Sequence, residues 1–279
     1  MAVPLAQQQH SDAIELELLL EAIHRRYGFD FRDYAAEPLR RRLHRRARYE
    51  RVESLSELQG VLLRDPACME RLLGDLSVNV TAMFRDPSFY SALRRQVVPL
   101  LEHRRFIRIW CAGCATGEEV VSLAILLREA GLYDRARIYA TDINAYALEA
   151  AAAGVVPLAR MQEYTDNYIR SGGTREFSEY YVAAYDAVRF NPELLGNVVF
   201  AQHNLATDRA FAEFHLILCR NVLIYFDTPL QNRVAELFCE SLSAFGVLGL
   251  GRRETIALSS VARRFAPLAG DERIYRKAA

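Results

Sequence analysis

The sequence predicts an all-helical N-terminal part followed by an α/β domain on an open, parallel, doubly wound sheet with a small antiparallel insertion. Three observations predict it. From Asp12 to about Leu76 apolar residues recur at helical spacing, and no strand-like alternation appears before residue 105. Beyond that point short β-type runs (106–111, 137–141, 198–201, 215–219, 245–250) alternate with helical segments at 118–130, 144–153 and 228–243, the texture of βαβ units. Gly172-Gly173 and the tyrosine-rich text from Glu179 to Phe190 break that rhythm. They read as an antiparallel insertion at about 172–191, with an edge open to a partner strand.

Residues 1–10 are polar and Gln-rich and read as a disordered tail. The remainder divides into a helical domain (11–82), a linker (83–104) and the α/β domain (105–279). In the first helix Ile14, Leu18, Leu19 and Ala22 form the apolar spacing, with Ser11-Asp12 as its N-cap. A second helix is expected after Pro38. A third starts near Ser54, where Ser54-Leu-Ser-Glu57 has capping-box form, and a fourth opens at Asp65-Pro66. Glu272-Arg-Ile-Tyr-Arg276 reads as a last, edge strand.

Composition narrows the function classes. At 279 residues, 51% hydrophobic and 25% charged, the chain has ordinary globular composition and ample core. Its formal net charge is zero, so no bulk field draws it to nucleic acid or anionic membrane. No stretch reads as a signal peptide, and no apolar run approaches the ~20 residues of a membrane span. Five cysteines, an odd number, do not suggest a disulfide framework, so a reduced, cytoplasmic protein is expected. No Cys/His set completes a metal site.

The stretch Trp110-Cys-Ala-Gly-Cys-Ala-Thr-Gly-Glu-Glu119 follows a strand and leads into a helix, where open α/β sheets bind ligands. Gly113 and Gly117 would let the backbone approach a ligand without a Cβ in the way. A phosphate loop would not place Glu118 and Glu119 at a helix N-terminus. Gly113 and Gly117 lack dinucleotide spacing, and Glu118 stands where a P-loop needs lysine. Asp142, closing the second strand, suits the ribose hydroxyls of a nucleoside or else a helix N-cap. A nucleoside without phosphates fits, and S-adenosylmethionine, with its sulfonium cation near Glu119, is the candidate. Cys111 and Cys114 have redox spacing, although two small packing residues in a tight turn explain them as well.

Further along, Arg220, Asn221 and Tyr225 follow the strand His215–Cys219 at its carboxyl end, where such sheets place their chemistry. Asn79, Thr81 and Arg85 thread an otherwise apolar hinge and read as a lid over a polar ligand or as a capped helix start. On the second helix Arg40, Arg41, Arg42, Arg45, Arg46, Arg48 and, just beyond, Arg51 surround a buried stripe of Leu39, Leu43 and Ala47. With Glu50 the one acid among them, that face suits an acidic partner or is a solvated surface.

These motifs, in this order, resemble the chemotaxis receptor methyltransferases of the CheR family over nearly the whole chain, from about residue 12 to 276. The likeness rests on Asn79-Val-Thr-Ala-Met-Phe-Arg-Asp-Pro87, the 110–119 turn, Ala140-Thr-Asp142, His203-Asn-Leu205 and Cys219-Arg-Asn-Val-Leu-Ile-Tyr-Phe226. It implies a Rossmann-like class I methyltransferase domain with a small β-subdomain, preceded by a helical domain that docks on receptors. It also implies methyl transfer from S-adenosylmethionine to receptor glutamates, with S-adenosylhomocysteine as product. Carried over, the pattern puts Asn79, Thr81 and Arg85 on the cofactor's methionine side and Gly113 and Glu119 at the cofactor turn. Asp142 falls on the ribose, Asn204 and Leu205 beside the adenine, and Arg220 and Asn221 on the floor beside the sulfonium. Arg85 and Tyr225 fall nearest the transferring methyl.

As partners the resemblance implies the acidic methylation region of receptors, met by the arginine-rich helix, and a receptor-tail peptide at the β-subdomain. The chain is expected to act as a monomer that reaches membranes only through receptors. Where many members have tyrosine before Ser122 this chain has Val121, and the usual Gly-His-Ser-Glu is Gly251-Arg-Arg-Glu254. The phenylalanine pair common before Arg85 is Met83-Phe84. Two rival readings are a cofactor-binding signalling adaptor without methyl transfer and a dithiol redox protein using Cys111 and Cys114.

Overall fold

A computed structural model of the chain describes residues 5–76 and 81–279. They fall into two compact units, the N-terminal helices with Tyr225–Gln231, and an α/β unit of Asn79–Ile224 with Asn232–Ala279.

The helical unit comprises α1 (Leu5–Tyr27), α2 (Ala36–Tyr49), α3 (Leu55–Arg64) and α4 (Pro66–Leu76). α1 starts at Leu5, so residues 5–10 are helix and not tail. Their alanine and glutamines are good helix formers, and nothing among them breaks a helix. Ser11 and Asp12 therefore lie inside α1, where Asp12 pairs with Arg40 (3.2 Å) and His44 (2.9 Å). α1 packs on α3, and α2 on α3 and α4. The buried face of α1 is Leu16, Leu19, Leu20 and Ile23, whereas Ile14 and Leu18 are 46% and 54% exposed. α1 is apolar on more than one face. The face that turns inward is the one from which the Glu15 carboxylate accepts the Leu55 amide at the start of α3 (3.0 Å). Leu39, Leu43 and Ala47 are buried along α2, as their spacing predicts. Ser54 Oγ accepts the Glu57 amide (3.1 Å), while the Glu57 carboxylate reaches back to the Glu53 amide (2.8 Å), one residue short of a closed capping box. Tyr34 and Phe226 form an antiparallel bridge, flanked by the Ala35 amide donating to Tyr225 O (2.9 Å).

The α/β unit opens with α5 (Pro87–Ala92), a π-helical turn (Leu93–Val97) and α6 (Val98–Glu102). Then come β1 (Ile107–Ala112), α7 (Glu118–Glu129), β2 (Ala136–Asp142), α8 (Ala145–Ala153), β3 (Val155–Pro157) and α9 (Met161–Arg170). β4 (Tyr181–Ala184), β5 (Ala187–Phe190), β6 (Val198–Gln202), β7 (Phe214–Cys219) and α10 (Thr228–Ser241) follow. β8 (Leu242–Leu250), β9 (Phe265–Pro267) and β10 (Ile274–Lys277) end the unit.

The main sheet has the order β6-β2-β1-β7-β8-β10-β9. Its first five strands are parallel, and β10 runs antiparallel to both β8 and β9. β10 is therefore not the edge. Its buried Ile274 and Tyr275 insert it between two strands, and the three-residue β9, too short to show a period, takes the edge. The insertion sheet, β3-β5-β4, begins at Val155 rather than near 172. Its first strand, also three residues long, gave no alternation to read. Along the main sheet the chain runs from β1 outward through β2 to β6, then returns to the other side of β1 with β7 and β8. The carboxyl ends of β1 and β7 flank this switch, where the connections part and leave a crevice.

Candidate functional site

After β1 the chain turns through Gly113 (φ 75°), Ala115 (φ 46°) and Gly117 (φ 91°) into α7. The Gly113 and Cys114 amides both donate to Thr141 O at the end of β2 (2.8 and 2.9 Å). A Cβ on Gly113 would lie 2.4 Å from Val222 Cγ2, and one on Gly117 2.8 Å from Ala151 Cβ. These neighbours give both glycines a packing reason beside the ligand approach expected from sequence. Positive φ adds its own demand for glycine. Gly113→Ala is expected to cost about 1–3 kcal/mol of stability in thermal denaturation, partly restored when Val222→Ala is combined with it. Simple additivity of the two changes would contradict this packing account.

The two acids at the start of α7 do different things. Glu118, buried, accepts the hydroxyls of Thr116 (2.7 Å) and Tyr164 (3.1 Å) and ties α9 to α7. Glu119 faces the carboxyl end of β7 and pairs with Arg220 Nη1 at 3.1 Å. Burial pushes the Glu119 carboxyl above the ordinary glutamate value, against the pull of Arg220 and of the Arg85 charge.

Asp142 is buried at the end of β2. Its Oδ2 accepts the Ala115 amide and its Oδ1 the Asn144 amide, both at 2.9 Å, so one carboxylate clamps the turn after β1 to the end of β2. The N-cap role weighed for Asp142 belongs to Asn144, whose Oδ1 accepts the Tyr146 and Ala147 amides (3.0 and 3.4 Å). Each Asp142 oxygen keeps acceptor capacity, as two ribose hydroxyls would need. Burial raises the Asp142 carboxyl above its ordinary value, against the hydrogen bonds that lower it.

Arg220 joins these pieces. Its buried guanidinium donates to Glu119, to Asp86 Oδ2 (2.7 Å) and to Arg85 O (2.8 Å), and lies 4.1 Å over the Phe89 ring. One side chain at the end of β7 thus fixes both the N-terminus of α7 and the linker. The linker and the residues just before it are pinned by their carbonyls, Thr81 O to Arg160 Nη2 (2.7 Å) and Met83 O to Asn167 Nδ2 (3.1 Å). The Phe84 amide donates to Ser122 Oγ (2.9 Å). Phe84 and Asp86 take φ of 48° and 56°, a strained stretch that these bonds and the buried Phe84 ring hold in place.

Glu254 was missed by sequence reasoning. It is buried and accepts three backbone amides, Asn221 (2.9 Å), Leu223 (2.8 Å) and Gly251 (2.6 Å). It thereby shapes the turn after β7, in which Asn221 takes φ 63°. A Cβ on Gly251 would lie 2.6 Å from Glu254 Oε2, so glycine three residues before a buried acid was the available signal.

At the end of β6 the His203 amide donates to Asp142 O (3.1 Å). Asn204 Oδ1 accepts the Ala206 amide (2.9 Å) and Leu205 is buried. The structure thus gathers Arg85, Gly113, Glu119, Asp142, Arg220 and Asn221 at neighbouring strand ends, with Asn204 and Leu205 beside them and Thr81 reached through Arg160. Tyr225 belongs to the helical unit, where its ring carries the Arg42 guanidinium 5.0 Å from its centroid. Asn79 lies outside the described residues. Cys111 and Cys114 are free and buried, and burial pushes both thiols well above their ordinary value, as packing residues and not a reactive dithiol require.

A nucleoside-binding α/β domain with carboxylates where a phosphate loop would carry amides and lysine is the class these features define. Two carboxylates beside the turn after β1, Asp142 with acceptor capacity to spare and Glu119 with negative charge, suit a hydroxyl-bearing, cationic ligand such as S-adenosylmethionine. Residues 79–273 match the family described as CheR methyltransferase, SAM binding domain, and residues 14–77 its all-alpha domain. A Pseudomonas putida protein named Cher3 is 47% identical over 95% of this chain and 97% of its own length. The chemotaxis protein methyltransferase 2 of Pseudomonas aeruginosa is 32% identical over 91% of each chain. A chemotaxis protein methyltransferase of Listeria innocua is 30% identical over 84% of this chain and 87% of its own. The chain belongs to the CheR family of S-adenosylmethionine-dependent methyltransferases.

Burial holds both carboxyls above their ordinary values, and a cationic, hydroxyl-bearing cofactor contacting them would favour their ionised forms. Cofactor affinity is therefore expected to be full above the raised pKa values and to fall as pH drops through them, at higher pH than ordinary carboxyls of about 3.9 and 4.3 would dictate. Calorimetric titrations from neutral pH downward check this; an affinity constant down to the ordinary values would contradict it.

Proposed function

We propose that this chain transfers the methyl group of S-adenosylmethionine to glutamate side chains in the acidic cytoplasmic helices of chemoreceptors, forming methyl esters that adapt the receptor signal. The observation that carries the reading is the Arg220 clamp, which draws Arg85, Asp86 and Glu119 together at the crevice. The names of the P. aeruginosa and L. innocua relatives support the chemotaxis setting. The bound cofactor supplies an electrophilic methyl group on a sulfonium.

What the protein adds is position. A glutamate side chain, with a pKa of about 4.3, is already ionised at neutral pH, so no general base is required. Arg85 orients the carboxylate through its planar fork without pairing so tightly that the nucleophile is quenched. Placing the two reactants this way supplies roughly 7–11 kcal/mol of barrier reduction. Once esterified, the side chain is neutral and Arg85 loses its hold on it, which favours release. Asn79 and Thr81 take the methionine side, Asp142 the ribose, Asn204 and Leu205 the adenine, and Asn221 lines the floor. The family resemblance gives the Tyr225 hydroxyl a role in transfer, so Tyr225→Phe should bind cofactor normally and transfer more slowly.

The enzyme acts in the cytoplasm as a monomer, and among the described residues no helix is long and apolar enough to cross a membrane. Docking falls to α2. Its basic face is thinner than the sequence suggests, because Arg40, Arg45 and Arg46 are paired with Asp12, Asp75 and Glu50. Arg41 and Arg48, seven apart and exposed, remain on one face. Reversing both to Glu is expected to slow receptor methylation several-fold at low ionic strength, and less near 0.5 M salt, where the Debye length falls to about 4 Å. An unchanged salt dependence would remove α2 from docking. The exposed edge of β4 is where a receptor tail would add a strand. Mass-spectrometric mapping of receptors after incubation with enzyme and cofactor tests the function; methylation confined to other residue types would refute it.

A further inference from the structure

Beside the Arg220 clamp lies a cleft of about 570 Å³ lined by Asp86, Pro87, Ser88, Ser91, Arg95, Arg170 and Arg252. Its three arginines come from three places distant in sequence, namely the π-helical turn after α5, the last turn of α9 and the loop after β8. Serines orient two of them. Arg95 Nη1 donates to Ser91 Oγ (2.8 Å) and Arg252 Nη2 to Ser88 Oγ (2.6 Å).

The acids near the cleft are largely committed. Asp86 gives Oδ2 to buried Arg220 and turns Oδ1 toward Arg252 at 3.6 Å, and Glu272 stands 3.8 Å from Arg252. Arg95 and Arg170 have no acidic partner among the described residues. The cleft therefore holds uncompensated positive charge in a partly enclosed space. Its one shared wall, Asp86, is also a partner of the residue that fixes the methyl-transfer crevice.

We propose that this cleft is a subsite of the same active centre, taking a second carboxylate of an acidic peptide substrate next to the glutamate that accepts the methyl group. The proposal rests on the reading above that the substrate is a receptor glutamate. On a helical substrate, acids three or four residues from the acceptor lie on the same face, about 5–6 Å away, so a neighbouring subsite meets them naturally. Arginine forks match carboxylate geometry. A singly charged carboxylate suits a cleft that includes Asp86 better than a doubly charged phosphate does. Arg252 stands in the Gly251-Arg-Arg-Glu254 segment, so Glu254, which shapes the turn at Asn221, also anchors the start of the loop that carries a cleft arginine.

The test uses the full chain, a receptor cytoplasmic fragment, and the same fragment with the acids flanking the acceptor glutamate changed to Gln. The enzyme variant is Arg95→Gln with Arg170→Gln. Neither residue touches the Arg220 clamp, and calorimetry with S-adenosylmethionine should give an unchanged Kd. Wild-type enzyme is expected to show a KM roughly 3- to 20-fold higher on the neutralised fragment at near-constant kcat, the range that one or two exposed ion pairs supply. The double variant should show a similar rise on the native fragment and no further rise on the neutralised one. Single Arg170→Gln should give a smaller shift in the same direction. A KM unchanged by the double variant, or full additivity of the enzyme and substrate changes, overturns the proposal while leaving the methyltransferase reading intact. Absence of methyl transfer to any receptor fragment, with cofactor binding normal, overturns that reading and the proposal with it.

Discussion

Asp142→Ala is expected to raise the Kd for S-adenosylmethionine at least about 100-fold. Two hydroxyl hydrogen bonds to a buried carboxylate contribute roughly 1.5–3 kcal/mol each, and every 1.4 kcal/mol is tenfold in affinity. The same substitution leaves the Ala115 and Asn144 amides without their acceptor, which should cost about 1–3 kcal/mol of stability for each amide that stays dry. Asp142→Asn separates the two effects, because it keeps shape and one acceptor and loses charge. It should fall between wild type and alanine in affinity and stay closer to wild type in stability. Calorimetry on variants shown to be folded by circular dichroism reads the result, and a normal Kd for Asp142→Ala would refute the pocket assignment.

Arg220→Ala carries the second large effect, this time on the fold. Removing the guanidinium leaves the Glu119 carboxylate without its ion-pair partner, leaves Asp86 with Arg252 at 3.6 Å, and strips the cation from the Phe89 face. Breaking a buried charge set by deleting one partner typically costs about 3–5 kcal/mol. Urea denaturation of the cofactor-free protein measures it. Arg220→Met with Glu119→Gln should recover part of the loss, since removing both charges of a pair costs less than removing one. A loss under about 1 kcal/mol for Arg220→Ala would mean that the clamp does not hold the linker to the strand end.

The sequence read the architecture well where elements are long and periodic. The five parallel strands and the helices 118–130, 144–153 and 228–243 appear within a few residues of their expected bounds. It read poorly where an element is short, as with the three-residue β3 and β9, or where two faces look alike. α1 could bury Ile14 and Leu18 or Leu16 and Leu20 on its spacing alone, and the choice was made by packing on α3. At the site, residue types and positions at strand ends were legible, but partners were not. Glu119 was read as a cofactor contact, and only the folded chain shows that it is balanced by Arg220, 101 residues away. Sequence spacing likewise gives no sign that Val222 packs against Gly113 and adds a second demand for glycine there. Glu254 escaped altogether because its three amide donors come from two loops that only the sheet brings together.

Methyl transfer to receptor glutamates is the activity proposed for this chain. The most direct measurement incubates the protein with S-adenosylmethionine labelled in its methyl group and membranes carrying the native chemoreceptors, then treats the product with mild base. Label incorporated into the receptor band and released as volatile methanol is the expected result, because a glutamyl methyl ester hydrolyses where a methylated nitrogen or sulfur does not. Label that survives base, or equal incorporation into membranes lacking the receptors, would contradict it.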